Sequence, residues 1–257
     1  MARCARTSVI GTSPPSVSHS RAASCVRFGF SPRPPVSRAS VQRMADHLRM
    51  LGELGEAPVV TKLFHHPDLG SSDLVVVTRD LPGLFSLIAG SLAACGVNII
   101  SAQIHTRADG IAIDTFQVND PAGDLVGSSA LWARTLDALR AVITGEQSVQ
   151  ALLDRRRAGG REATGPGGPP RIALDNQLSD TATVIEVKCP DRLGLLYLIT
   201  RTFAGLGLDI VSARIATEID QAFDTFYVQD REGRMIEDAE ALERVRAGLE
   251  QALAQPI

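Results

Sequence analysis

The feature that most constrains the fold of this chain is an internal duplication. The glycines Gly83 and Gly194 are 111 positions apart, and the motifs around them recur at that offset. These motifs are DLPGLF at 80–85 with DRLGLL at 191–196, IISA at 99–102 with IVSA at 210–213, and, after a one-residue gap, DTF at 114–116 with DTF at 224–226. Because solenoid repeats run to only about 20–50 residues, the period predicts two small tandem domains.

Each copy shows the same order of predicted elements. In the first copy, β-rich or alternating runs lie at 59–64, 73–79, 98–106 and 111–118, with helical patterns from Leu84 and over 132–143. The second copy repeats this order over 171–254. Strands with a period of two and helices with a period of 3.6 residues in the order ββαββα indicate an α+β fold, in which helices cover one face of an antiparallel sheet.

The remaining segments set the predicted boundaries. These are a disordered head at 1–45, a short helical lead-in at 46–58, a first domain at 59–154, a flexible Gly- and Pro-rich linker at 155–170 and a second domain at 171–257. The head holds seven arginines and no acidic residue. That composition is expected both of a transit peptide and of an upstream region translated from a misplaced start codon.

Charge and composition exclude several classes of protein. All 29 acidic residues and 19 of the 26 basic ones lie in 46–257, which gives this part a formal charge of −10. Nucleic-acid binding needs clustered basic residues, so it is not expected. The sequence has no apolar run of membrane-spanning length and no CxxC pair, which favours the cytoplasm.

Several of these motifs resemble those of a known family. DLPGLF at 80–85, GVNI at 96–99 and DTFQVND at 114–120 are similar to ACT domains, and TVIEV at 183–187 is similar to the last domain of the bacterial PII uridylyltransferase/uridylyl-removing enzyme. The resemblance covers residues 59–257 and only the C-terminal regulatory part of that family. It implies two tandem ferredoxin-like ACT domains, which bind amino acids near a domain interface, and in this family the implied ligand is glutamine.

The predicted ligand site lies at the turn between a strand and a helix that begins at about Pro82. Free N–H groups at a helix start attract a carboxylate, while Asp80 and Asp191 can accept hydrogen bonds from an ammonium group. The candidate ligand-binding residues are Asp80, Pro82, Gly83, Leu84, Asn98 and Ile99 in the first copy, and Asp191, Gly194, Leu195, Asp209 and Ile210 in the second. The alternative is that both aspartates are helix N-caps and the glycines only form turns.

No catalytic constellation is recognised, and neither a cofactor nor a metal is implied. Nucleotidyltransferases of the resembled family need two metal-binding aspartates after a Gly-Ser pair, and the segment following Gly70 lacks the second one. We therefore expect a regulatory protein that binds glutamine and controls a PII uridylyltransferase/uridylyl-removing activity, partnered by the catalytic domains or by self-association. The alternatives are a non-sensing ACT interaction module and an organellar ACT-repeat protein.

Overall fold

The structure is a computed structural model that describes residues 38–158, 168–218 and 220–255. The first half contains α1 (Arg38–Leu54), β1 (Val59–His66), β2 (Ser71–Arg79), α2 (Leu84–Cys95), β3 (Asn98–Gln103), β4 (Ile111–Asn119), α3 (Ser129–Ile143) and α4 (Val149–Ala158). The second half contains β5 (Arg171–Asp175), β6 (Thr183–Pro190), α5 (Leu195–Gly205), β7 (Asp209–Arg214), β8 (Thr217–Glu218), β9 (Gln221–Gln229) and α6 (Ala239–Leu253). The order ββαββα is present in both halves, which confirms the predicted α+β fold.

The inner strands carry the pattern that produces this fold. In β4 and β9 every second side chain is buried, and the residues between them are only half-buried. Phe116 and Phe226 occupy equivalent inward positions, where they meet Phe85 and Phe203 edge-on at ring-centroid distances of 5.3 and 5.2 Å. The alternation therefore directs one face of each strand toward the helices.

The nine strands of the described residues form one antiparallel sheet in the order β1-β2-β4-β3-β7-β9-β6-β5, with β8 paired to β9. The two halves join where β3 pairs with β7, and there Ala102 lies opposite Ala213, its own counterpart in the repeat. The backbone N–H groups of Ile104 and Ile215 each donate across this junction, at 3.0 and 2.8 Å. An approximate two-fold axis therefore passes through the centre of the sheet.

Helices α2, α3, α5 and α6 cover one face of the sheet. Their apolar side chains and those of the inner strands form one continuous core across both halves. Ile88 and Leu92 of α2 and Ile199 and Phe203 of α5 are fully buried in it. Burial of these large side chains supplies the main stabilisation of the fold and holds the halves together from the helical side.

Helix α1 lies on the opposite face of the sheet, against the first half only. Met50 and Leu54 bury their side chains there on Val75 and Val77. The Arg43 guanidinium adds an ion pair with Asp73 at 2.7 Å. The prediction of a disordered head up to residue 45 is therefore wrong for residues 38–45, which this packing holds in a helix; the rest of the predicted head lies outside the described residues.

Helix α4 extends into the predicted flexible linker. It continues through Ala158, so residues 155–158 are helical, while most of the remaining linker lies outside the described residues. Val149 and Leu153 of this helix pack with Tyr197 of α5. This contact between the halves stabilises a helix that local composition did not predict.

Candidate functional site

The two turns that follow β2 and β6 have the same geometry. Gly83 and Gly194 are the N-cap residues of α2 and α5, with left-handed φ angles of 73° and 82° that favour glycine. The N–H groups of Leu84 and Leu195 each donate to the carbonyl three residues earlier, at 2.9 and 3.0 Å. The predicted helix start at Pro82 is two residues early, because a left-handed residue cannot belong to a right-handed helix.

The aspartates of these turns are not helix caps. The N-cap positions are the glycines three residues after Asp80 and Asp191, and those glycines make no side-chain capping bond. Asp191 instead accepts a hydrogen bond from the Thr217 hydroxyl at 3.3 Å. Burial raises the pKa of Asp191, and the bond from Thr217 partly opposes that shift. The interpretation of the two aspartates as N-caps is therefore wrong.

The second turn opens onto a groove between the two halves, with a volume of about 1250 Å³. Since small-molecule sites usually measure roughly 300–1,000 Å³, one small ligand occupies only part of it. Five of the predicted ligand residues line this groove, namely Asn98, Ile99, Asp191, Gly194 and Leu195. The pairing of β3 with β7 brings the start of β3, in the first half, close to the turn that follows β6 in the second half.

The first turn has different surroundings. The predicted ligand residues that do not line the groove are Asp80, Pro82, Gly83, Leu84, Asp209 and Ile210. Gly83 packs closely on α5, because a Cβ atom at this position would lie 3.3 Å from the Cβ of Ala204. Burial and the nearby Asp80 charge both raise the pKa of Asp209. A second carboxylate thus acts on Asp209 at the first turn, whereas the equivalent residue at the second turn is the uncharged Asn98.

The groove has sides of opposite charge. Three carboxyl groups come from the second half, those of Asp191, Asp220 and Asp224. Four arginines come from the first half, Arg134 on α3 and Arg155, Arg156 and Arg157 on α4. Arg192 also lines the groove from the second half, and its guanidinium donates to the Leu253 carbonyl at 3.0 Å. A ligand in the groove thus meets carboxyl groups on one side and guanidinium groups on the other.

Gly96 determines where one of these arginines lies. A Cβ atom at this position would be 2.8 Å from an Nη atom of Arg156, so only a residue without a side chain lets the guanidinium pack there. Gly96 ends α2 with a φ of 80°, which also favours glycine. Gly96 therefore both ends the helix and lets a charged group pack beside the groove.

Sequence reasoning missed the buried aspartates of β4 and β9 as functional candidates. Asp114 and Asp224 are only 1% and 2% exposed. Burial is the main cause that raises the pKa of each to about 7. The repeated DTF motif held the signal, because it places an acidic residue at an inward position of an alternating strand. The arginines of α4 had no such signal, since their segment was interpreted as linker.

Comparison with known proteins agrees with this architecture. The family described as an ACR9-like, ACT-like domain matches residues 171–257, which cover the whole described second half from β5 to α6. The second half is thus similar to an ACT-like domain, and the first half repeats its motifs and its element order. The two halves together are called the ACT pair. In the described residues of this ACT pair, no helix is long and apolar enough to cross a membrane.

The ACT pair is also similar to larger bacterial enzymes. Its sequence is 38% identical to a bifunctional uridylyltransferase/uridylyl-removing enzyme of Rhodospirillum rubrum, over 82% of this chain and 23% of that enzyme. Enzymes with the same name from Gluconobacter oxydans and Azospirillum brasilense are 36% and 38% identical, over 79% and 72% of this chain and 22% and 20% of their own lengths. The chain thus spans less than a quarter of the length of these relatives.

Among solved structures, two align with 72% of this chain at low similarity. They are an unknown protein from Galdieria sulphuraria and a putative glycine cleavage system transcriptional repressor, with TM-scores of 0.23 and 0.24 and identities of 14% and 18%. The matches to the ACT-like family and to the bacterial enzymes support a regulatory role for the domains.

Proposed function

We propose that this ACT pair senses an amino acid, with glutamine as the ligand, and thereby regulates a PII uridylyltransferase/uridylyl-removing activity in the cytoplasm. The observation that carries the proposal is the charge distribution of the groove, with carboxyl groups on one side and arginines on the other. A free amino acid carries an ammonium and a carboxylate on one carbon, so it suits such a pair of surfaces. Charge-assisted hydrogen bonds to both groups are stronger than neutral ones.

The residues of the second turn and of β3 have distinct roles in this proposal. Asp191 accepts from the ligand ammonium, while Arg155 and Arg156 bind the carboxylate. Asn98 lies at the rim, where its side-chain N–H donates to the Asp120 carbonyl at 3.1 Å. A side-chain amide held in this way matches the donor and acceptor of the glutamine amide.

Regulation follows from the position of α4. This helix supplies arginines to the groove and packs by Val149 and Leu153 on the other helices. A ligand that joins these arginines to the second turn stabilises the arrangement in which α4 lies across the two halves. Such a ligand shifts the population toward one docking of the domains, and a catalytic partner that contacts this surface responds to the shift.

The test is a thermal-shift titration of the full chain with the common amino acids. A ligand that binds only the folded state raises the midpoint, and it stabilises by about 2.7 kcal/mol at a hundred times its Kd. We expect L-glutamine to give such a shift and the double variant Asp191→Asn, Gly194→Ala to lose it.

The matched control is Asp80→Asn, Gly83→Ala at the first turn. It carries the same two changes, including a side chain at a left-handed glycine, but does not touch the groove. We expect this control to keep the glutamine shift. Equal loss in both double variants would reject the second turn as the site, and no shift with any amino acid would favour the alternative of a non-sensing interaction module.

A further inference from the structure

The side chain of Asp224 is a buried carboxyl group with an incomplete set of hydrogen bonds. It lines the groove and is 2% exposed, and within the described part of the chain its Oδ1 atom has no hydrogen-bond partner. Buried polar atoms are nearly always paired, because an unpaired one loses its water without compensation. An unpaired carboxyl oxygen at the wall of a groove therefore indicates a donor that arrives with a ligand.

Its counterpart in the repeat provides an internal comparison. Asp114 occupies the same inward position of β4 and is equally buried, but it does not line the groove. Its Oδ1 atom accepts a hydrogen bond from the backbone N–H of His105 at 3.3 Å. The Ala216 amide takes the place of the His105 amide at Asp224. The two aspartates differ in that only Asp224 lines the groove and that its Oδ1 atom has no partner among the described residues.

The groups around Asp224 define its electrostatic setting. Asp191, in the turn after β6, is a charged group that acts on Asp224, and the charge of Asp224 acts on the Cys189 thiol of β6. The other charged groups that line the same groove are Arg192, Asp220, Arg134 on α3, and Arg155, Arg156 and Arg157 on α4. Burial raises its pKa to about 7, and the nearby Asp191 charge adds to the shift while the Ala216 amide opposes it. Near neutral pH the empty groove therefore holds a mixture of protonated and ionised Asp224.

We propose that Asp224 binds the ammonium group of the amino-acid ligand and releases its proton to solvent when the ligand enters. The proposal rests on the function given above and adds a specificity residue to it. The ionised carboxylate accepts one N–H of the ammonium at the oxygen that now lacks a partner, Asp191 accepts another, and the ammonium keeps all of its own protons. The ionised form of Asp224 binds the ammonium much more tightly than the protonated form, because only the carboxylate makes a charge-assisted hydrogen bond.

Proton release makes ligand affinity depend on pH. The apparent Kd is the intrinsic Kd divided by the competent fraction, which rises from about a tenth at pH 6 to nearly all at pH 8 for a group that titrates near neutrality. We therefore expect L-glutamine to bind about tenfold more tightly at pH 8 than at pH 6. Binding near pH 6 should also release close to one proton per ligand.

The experiment is isothermal calorimetry of L-glutamine with the full chain at these two pH values, in two buffers of different ionisation enthalpy. Asp224→Asn should weaken binding at least tenfold at the higher pH, remove the pH dependence and make the heat independent of buffer. Asp114→Asn is the matched control and should keep the wild-type affinity, pH dependence and proton release. A thermal melt of each variant without ligand verifies that it is folded.

The outcomes separate this inference from the proposed function. If wild-type protein binds glutamine but releases no proton, or if Asp224→Asn retains the pH dependence, the role of Asp224 is rejected and the sensor function stands. Affinity that falls with rising pH would also reject it, because it would place the ligand carboxylate at Asp224. If the folded wild-type chain binds no amino acid at either pH, both the function and the inference are rejected.

Discussion

Asp114 and Asp224 place a carboxyl group among apolar side chains on the helical side of the sheet. A buried carboxylate loses its hydration, so the folded protein holds the proton up to about pH 7, while the ordinary value is 3.8. Between these pH values the folded state binds more protons than the unfolded state. The contribution of each group to the free energy of unfolding is therefore present at low pH and decreases as pH rises to about 7.

We expect Asp114→Asn to remove this dependence for one of the groups. Asparagine keeps the shape and the acceptor for the His105 N–H but cannot ionise. At about pH 8 the variant should be more stable than wild type, by up to roughly 4 kcal/mol, because one pKa unit corresponds to about 1.4 kcal/mol. Near pH 4 the two proteins should have similar stability. Urea unfolding at a series of pH values measures both differences.

Asp109→Asn is a control for which the expected change in stability at neutral pH has the opposite sign to that of Asp114→Asn. Asp109 is exposed, and its hydrogen bonds with Arg107 lower its pKa. The contribution of Asp109 to the free energy of unfolding is present above its ordinary pKa and is lost on acidification. The Asp109→Asn variant should therefore be slightly less stable than wild type at neutral pH. A stability gain in Asp114→Asn that did not change with pH would show that ionisation is not its cause.

At the scale of elements, the two halves differ in what covers the outer face of the sheet. In the first half α1 packs there on Val75 and Val77. The equivalent positions of β6 are Glu186 and Lys188, and the Lys188 ammonium lies 4.4 Å from the ring centre of Phe223. In this strand, charged residues thus replace the two valines on which α1 packs, so the second half lacks that apolar contact surface.

The helical layer has a close contact at Gly90 of α2. A Cβ atom at Gly90 would overlap the Cγ1 atom of Val149 on α4 and lie 3.1 Å from the ring of Tyr197 on α5. The stiff, β-branched valine has little freedom to move away. This glycine therefore lets three helices meet, and the position of α4 depends on it.

We expect Gly90→Ala to destabilise the protein by about 1–3 kcal/mol, because overpacking outweighs the gain in helix propensity. Gly52→Ala in α1 is the matched control, since a Cβ atom there has no neighbour within 4 Å. That change should stabilise by about 0.5–1 kcal/mol. Chemical denaturation measures both, and a stabilising Gly90→Ala would contradict the packing described here.

At the scale of the whole molecule, the two domains share one sheet and one core. The β3–β7 pairing joins the two domains within the sheet, and the contact of α2 with α5 joins them within the helical layer. Small proteins with one hydrophobic core usually unfold in a single transition, and we extend this expectation to the two domains because their core is continuous. The described domains should therefore unfold together, although each has the complete element order of a domain.

Ile88→Val and Ile199→Val test this cooperativity at equivalent positions of α2 and α5. Both side chains are fully buried, so each substitution should cost about 0.5–1.5 kcal/mol. We expect wild type and both variants to show one transition, with coincident fluorescence and circular-dichroism curves and a lower midpoint in each variant. Two separate transitions, each moved by only one variant, would show that the domains are independent.

Much of the local structure was predictable from the sequence. The alternation in β4 and β9 and the apolar spacing after Leu84 gave the strand and helix types, because one buried face imposes its period on the residues. The extent of α1 and the presence of α4 were not predictable. Both helices depend on packing against distant strands or helices, and short isolated helices are marginal in water.

The sequence by itself determined the duplication, the order of elements in each half and the two glycine turns, since these depend on neighbouring residues. Only the tertiary structure decided that β3 pairs with β7 and that the second turn, not the first, faces the charged groove. Strand edges pair according to which edges the fold leaves open, and residues on them carry no local signal for their partner. That pairing brings Asn98 and the α4 arginines to Asp191 and Asp224, and so creates the candidate site.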